Sequence, residues 1–115
     1  MNKQIKGIGI DIVELNRLNN IKSRVLSEEE LIFYNDITNE SRKKTYLGGR
    51  FAAKEAIFKA ISQSDIKVNY KDITILNDKN GKPYVKTHPF LDVDIMISIS
   101  HTEEYAVAQA IIFHN

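Results

Sequence analysis

Two carboxylates in this chain sit among neighbours that do not explain them. Asp11 closes the run Gly7-Ile8-Gly9-Ile10, whose alternation places Ile8, Ile10 and Ile12 on one face of a strand and Gly7, Gly9 and Asp11 on the other. The two glycines leave room beside Asp11 for a backbone or a ligand to come close. Glu55 lies in an apolar helical stripe between Phe51 and Phe58, where an unpaired carboxylate is costly to bury unless a cation meets it. Lys59, one turn on, is a ready partner, yet a surface pair at that spacing is worth only about 0.2–0.5 kcal/mol. That does not account for burial. A hard divalent cation suits these oxygens better, because Mg²⁺ often takes only one or two protein carboxylates and completes its octahedron with waters and substrate phosphates. Cations to hold such phosphates recur nearby, as Arg42-Lys43-Lys44 and as Arg50, Lys54 and Lys59. His101 falls at a strand end, where functional side chains are often displayed.

Each of these residues also has a plainer reading. Asp11 with Glu14 forms a D-x-x-E variant of the capping box, fit to start a short helix near Ile12. The cations suit a solvated helix face, and His101 an exposed turn. Neither G-x-x-x-x-G-K-[ST] nor G-x-G-x-x-G occurs, so no glycine-rich phosphate loop supports the phosphate reading.

The elements that must position these side chains divide the chain into two textures. After a first strand at Ile5 to Ile10 and a helix from about Ile12, the Ser27/Glu30 capping pair predicts a second helix over Glu28 to Asn35. A long helix from about Glu40 to Ser62 follows, with Leu47, Phe51, Phe58 and Ile61 as its stripe. Gly48-Gly49 in its middle costs about 1 kcal/mol per glycine and points to close packing against the backbone. From Asp72 onward the pattern is β. Ile73 and Ile75 share a face, Asp78-Lys79-Asn80-Gly81 is a turn before a Pro83 to Lys86 strand, and strands follow at Asp94 to Ser100 and about Tyr105 to Phe113. The fold class is α+β, with helices including one long central helix before an antiparallel β meander.

Composition narrows the function classes. With 115 residues, 43% hydrophobic and 27% charged, the chain has material for one domain and one small core, to which a subunit interface would add. No cysteine is present, so no disulfide framework or thiolate zinc site exists, and no apolar stretch reaches the roughly 20 residues of a membrane span. The expectation is a soluble, cytoplasmic protein without membrane contact. A net charge of +1 does not favour nucleic acid. A small non-enzymatic nucleic-acid-binding module using Arg42 to Lys44 and the Arg50, Lys54 and Lys59 face is the competing reading, and no known DNA or RNA motif supports it.

Four motifs carry a resemblance. Gly7-Ile8-Gly9-Ile10-Asp11-Ile12-Val13-Glu14-Leu15-Asn16-Arg17, Gly49-Arg50-Phe51-Ala52-Ala53-Lys54-Glu55-Ala56 with Lys59-Ala60, Asn80-Gly81-Lys82-Pro83, and Ser98-Ile99-Ser100-His101 with Tyr105-Ala106 resemble, in order and interval, the signatures of the holo-acyl-carrier-protein synthases. These are the short bacterial type of 4′-phosphopantetheinyl transferase. The resemblance spans essentially the whole chain, residues 1–115, as one transferase domain of that fold. It implies transfer of 4′-phosphopantetheine from coenzyme A to a serine of apo-acyl carrier protein, releasing adenosine 3′,5′-bisphosphate, in support of fatty acid biosynthesis. It implies Mg²⁺ held by Asp11 and Glu55, with Lys59 and His101 on coenzyme A phosphates and completing the catalytic set. Arg50 and the loop Gly81, Lys82, Pro83 resemble positions near the adenosine end. Arg17 matches an arginine that contacts the strongly acidic carrier protein, and Arg24, seven residues on, would share its helix face. The base that deprotonates the serine stays open between a metal-ordered water, Asp11 and His101. A homotrimer with active sites between subunits is also implied, its strands gathered near the threefold axis. One departure stands out: where the family has a glycine-rich turn, this chain reads Ile61-Ser62-Gln63-Ser64-Asp65, so backbone-amide contacts to phosphate there come into question. The aromatic residue before the Asp-Ile strand is retained as Tyr70.

Overall fold

The computed structural model describes residues 3–61 and 67–115; the turn after Ala60 in which the family's glycines would fall lies outside the described residues, apart from Ile61. A long strand β1 (Gln4–Glu14) runs into a 3-10 turn (Leu15–Arg17), followed by helices α1 (Lys22–Val25), α2 (Glu28–Asp36) and α3 (Glu40–Ala60). A second 3-10 turn (Tyr70–Asp72) leads into strands β2 (Thr74–Asn77), β3 (Pro83–Thr87), β4 (Val93–His101) and β5 (Tyr105–His114). β1, β5 and β4 form an antiparallel sheet in that order, and β2 and β3 form a separate hairpin across the Asp78–Gly81 turn. The mixed helix and antiparallel-sheet architecture agrees with the α+β expectation.

The first helix does not start near Ile12. β1 continues to Glu14 because Asp11, Ile12 and Val13 each have a partner on β5, opposite Ala108, Val107 and Ala106. Strand pairing overrides the local D-x-x-E signal, as tertiary context routinely does. Asp11 therefore caps nothing. The Ser27/Glu30 box does form: the Ser27 side chain accepts from the Glu30 amide, and the Glu30 carboxylate accepts from the Ser27 amide at 2.8 Å. α3 begins under an Asn39 cap, whose side chain accepts from Arg42 N at 3.0 Å, and ends where Ile61 turns extended.

The space beside Gly7 and Gly9 is filled by a backbone. A Cβ at Gly7 would lie 2.0 Å from the Ala60 carbonyl oxygen, and one at Gly9 2.1 Å from that of Ala56. The C-terminal half of α3 thus lies directly on β1, a contact only glycine permits. Farther back on the same helix, a Cβ at Gly48 would lie 2.3 Å from Leu15 Cδ2 and one at Gly49 3.0 Å from Ile99 Cγ2, so both mid-helix glycines face close neighbours. Ala52, Ala53, Ala56 and Ile57 complete the helix side of a core shared with Ile73, Ile75, Ile97, Ala108, Ala110 and Ile112. The other face of the sheet carries Ile5, Ile8, Ile10 and Ile12, each more than 60% exposed, together with Met96. Among the described residues no helix is long and apolar enough to cross a membrane.

Candidate active site

α3 packs on β1, β5 and β4, and its side chains meet opposite sheet edges at two places. At the first, Asp11 points from β1 toward α3 and accepts a hydrogen bond from Lys59 Nζ at 2.8 Å; the same ammonium also donates to the Ile10 carbonyl at 3.2 Å. Lys59 thus answers Asp11 across elements rather than Glu55 one turn back on its own helix. Asp11 raises the pKa of Lys59 by hydrogen bond and charge, and Glu55 adds a smaller push in the same direction. Glu55 is half-buried between Phe51 and Phe58, and the Tyr70 ring packs on both phenylalanines at 5.5 and 5.3 Å between centroids. Burial raises the pKa of Tyr70, and Glu55 and, more weakly, Asp11 raise it further while Arg24 opposes. The charges of both carboxylates thus act on the same two neighbours, Lys59 and Tyr70.

This donor set fits Mg²⁺. Among the described residues no group of three or more His, Cys, Asp or Glu side chains converges, so an all-protein cage is not formed. Two oxygen donors without a third suit a cation that keeps waters and borrows substrate phosphates.

At the second place a cavity of about 250 Å³ opens between α3, the hairpin and the end of β4. Arg42, Arg50 and His101 line it, with Gly81 and Pro83 from the turn, Asn77, and the aromatic pair Phe33 and Tyr46 stacked at 5.0 Å. Arg50 is not the free surface cation that its type suggests. Its guanidinium donates to the Ile75 carbonyl at 3.3 Å and to Asn77 Oδ1 at 2.8 Å, and lies 4.2 Å above the Tyr46 ring. Burial pulls its pKa down and pushes that of Tyr46 up to about 12, so Tyr46 remains a neutral hydroxyl. Arg42, Tyr46 and Asn77 were not singled out for this cavity by the sequence reading. For Arg42 a signal existed: it precedes Arg50 by two helical turns and so shares its face.

Other expected residues fall elsewhere. Lys82 lines a neighbouring groove with Pro83 and Met96 on the exposed side of the sheet. Arg17 and Arg24 do not share a helix, since Arg17 closes the 3-10 turn and pairs with Glu14 at 3.5 Å while Arg24 sits on α1. Arg24 instead lines a groove of about 720 Å³ with Phe51, Phe58 and Tyr70, beside Glu55. The cationic face considered for nucleic acid is broken, because Lys54 is wholly buried and Arg50 only 6% exposed, which leaves Lys59 apart from Arg42 to Lys44.

Residues 7–110 match the model of the 4′-phosphopantetheinyl transferase superfamily, and the chain belongs to that family. Within it, the chain is 46% identical to the holo-[acyl-carrier-protein] synthase of Acholeplasma laidlawii over 109 residues, covering 90% of this chain and 92% of that one. It is 40% identical to the Bacillus subtilis holo-[acyl-carrier-protein] synthase, covering 94% and 95%. Among solved structures, the Bacillus anthracis holo-(acyl-carrier-protein) synthase in complex with CoA (3′,5′-ADP) superposes with a TM-score of 0.80 at 36% identity, covering 99% of this chain and 100% of that one. The Plasmodium yoelii holo-ACP-synthase gives 0.79 at 32% identity, covering 100% and 99%.

Proposed function

We propose that this chain, as one transferase domain over residues 1–115, transfers the 4′-phosphopantetheine group of coenzyme A to a serine hydroxyl of apo-acyl carrier protein, in support of fatty acid biosynthesis. The serine oxygen forms a bond to the phosphorus that carries pantetheine, the pyrophosphate P–O bond breaks, and adenosine 3′,5′-bisphosphate leaves; the serine proton passes to a base. The observation that carries this reading is the pairing, in a chain of this family, of the Asp11/Glu55 carboxylates with a separate cavity holding Arg42, Arg50 and His101. Chemistry of this class is mainly positioning and charge neutralisation. Asp11 and Glu55 would hold Mg²⁺, which when bound neutralises charge on the pyrophosphate and improves its leaving group. Lys59 stands beside Asp11 to meet a phosphate oxygen. The exposed ring of Phe33, backed by Tyr46, offers a surface for the adenine, and His101 with Arg42 offers donors for a terminal phosphate, next to the Gly81-Lys82-Pro83 loop.

The two clusters lie on opposite edges of one sheet, Asp11 on β1 and His101 on β4. One donor molecule reaches both most directly if the β1 edge of one subunit faces the β4 edge of the next. Such head-to-tail contacts close into rings, and the exposed isoleucine face of β1 is apolar surface of the kind that an interface covers. This supports a homotrimer with active sites between subunits. Coenzyme A as donor and the absence of cysteine fit a cytoplasmic setting.

Incubation with coenzyme A, Mg²⁺ and apo-acyl carrier protein tests the function. The carrier should gain the mass of one phosphopantetheine, and no gain at any Mg²⁺ concentration would refute the reading. Docking makes a separate prediction. Arg17 is more than 80% exposed, held only by a long contact to Glu14, and is offered to an acidic partner; Arg24 assists from the neighbouring groove. Charge at an interface rim mainly steers encounter. Arg17→Glu should raise the apparent KM for apo carrier on the order of tenfold or more and leave coenzyme A affinity intact, with added donor unable to restore the rate. Normal carrier kinetics for this variant at low salt would rule out the docking face and move attention to Arg42-Lys43-Lys44.

A further inference from the structure

Tyr70 opens the 3-10 turn before β2, in a stretch whose backbone is pinned by its own cap: the Asn69 amide donates to Asp72 Oδ2 at 2.9 Å. Its ring is gripped from two sides. Phe51 meets it edge-on at 5.5 Å and 66°, and Phe58 at 5.3 Å and 54°. Phe58 is itself steadied by Phe90 at 6.5 Å. Phe51 and Phe58 are two turns apart on α3, and Glu55 lies between them on the same face. A ring packed on both phenylalanines lies against the face of α3 that carries Glu55, and burial first, then the Glu55 charge, raises the pKa of its hydroxyl. Arg24 and Asp11 are the other charged groups that reach it.

The chemistry of this neighbour suits the role that the carboxylate has in the proposed function. A lysine or arginine over Glu55 would compete with a divalent cation for its charge. A neutral phenol donates one hydrogen bond, restricts the carboxylate's rotation and leaves its charge available. Outer-shell donors of this kind orient metal ligands, and their loss typically costs about 10- to 100-fold in metal affinity. We propose that Tyr70 is a positioning residue for Glu55: its hydroxyl donates to one carboxylate oxygen and leaves the other free to take a cation. The inference rests on the assignment of Asp11 and Glu55 as cation ligands.

The test uses Mn²⁺ as a spectroscopic probe, with affinity read by electron paramagnetic resonance on the full chain without coenzyme A. Tyr70→Phe keeps the ring and its contacts with Phe51 and Phe58, so its thermal midpoint should equal that of the wild type. Its Mn²⁺ affinity should fall about tenfold or more. In a Glu55→Gln background, adding Tyr70→Phe should cost nothing further, because the carboxylate it orients is gone. Wild-type Mn²⁺ affinity in Tyr70→Phe, beside a clear loss in Glu55→Gln, would overturn the positioning role and leave a packing residue. An undiminished affinity in Glu55→Gln would instead overturn the metal assignment beneath it. A further measurement needs no Tyr70 variant: Mg²⁺ added to the wild type should produce a tyrosine ultraviolet difference spectrum that Glu55→Gln lacks, and no such spectrum in the wild type would also overturn the proposal.

Discussion

Asp11→Asn should fold as the wild type does and transfer phosphopantetheine at no more than about a hundredth of its rate, a loss of roughly 2.7 kcal/mol or more in transition-state stabilisation. The substitution preserves shape and removes one negative charge. Asp11 lies within β1 opposite Ala108, so the exchange takes no helix cap away. Its contact with Lys59 involves an ammonium that is 58% exposed, and pairs of that kind contribute at most about 1 kcal/mol to stability. Stability and activity should therefore separate. Glu55→Gln should behave alike, since each variant leaves a single charged donor of the proposed pair. Circular dichroism and thermal unfolding check the fold, and the Mg²⁺ dependence of carrier modification checks the chemistry. Full Mg²⁺-dependent turnover in Asp11→Asn would leave the metal assignment without support.

Lys54→Met should do the opposite, damaging stability first. Lys54 and Glu30 are both wholly buried, and Lys54 Nζ donates at 2.6 Å both to Glu30 Oε1 and to the Val25 carbonyl. Glu30 further accepts from the Ser27 amide at 2.8 Å and from the Ile75 amide at 2.7 Å. One carboxylate thus joins the start of α2, the middle of α3 and the strand β2. Burial lowers the pKa of Lys54, and the charge and hydrogen bond of Glu30 oppose that shift. Removing one member of a buried pair strands the other, at a cost of about 3–5 kcal/mol. Methionine retains most of the stem, so the loss reports the charge rather than a cavity. Tyrosine fluorescence in urea measures it, at one fixed protomer concentration because assembly shifts apparent stability. The double variant Glu30→Gln with Lys54→Met should recover part of the loss. A single variant within about 1 kcal/mol of the wild type would show that the pair is not what ties α2, α3 and β2 together.

Lys54 also shows how far a sequence can be read. Leu47, Arg50, Lys54, Ile57 and Ile61 recur every three or four residues, a buried stripe written partly in charged residues. Reading Arg50 and Lys54 by type placed them with Lys59 on a solvated face. Spacing would have placed them inside, and only partners on other elements, the buried Glu30 and Ile75 and the more exposed Asn77, make that placement affordable. Asp11 misled in the same way. A capping box is a signal of four residues, whereas a strand partner almost a hundred residues away is invisible to local pattern.

The sequence by itself determined the period of each long element, the Ser27/Glu30 cap, the Asp78–Gly81 turn and the four spaced motifs that place the chain in its family. These are properties of neighbouring residues: dihedral preference, periodic apolarity and local hydrogen bonds. The tertiary structure alone decided that the gap beside Gly7 and Gly9 holds the backbone of α3, that Lys59 answers Asp11 rather than Glu55, and that His101 and Asp11 stand at opposite sheet edges. The reason is that each of these depends on which distant segments share a face of the sheet. That is fixed by strand register and by the path of one helix across it, and neither is encoded in any short stretch of the chain.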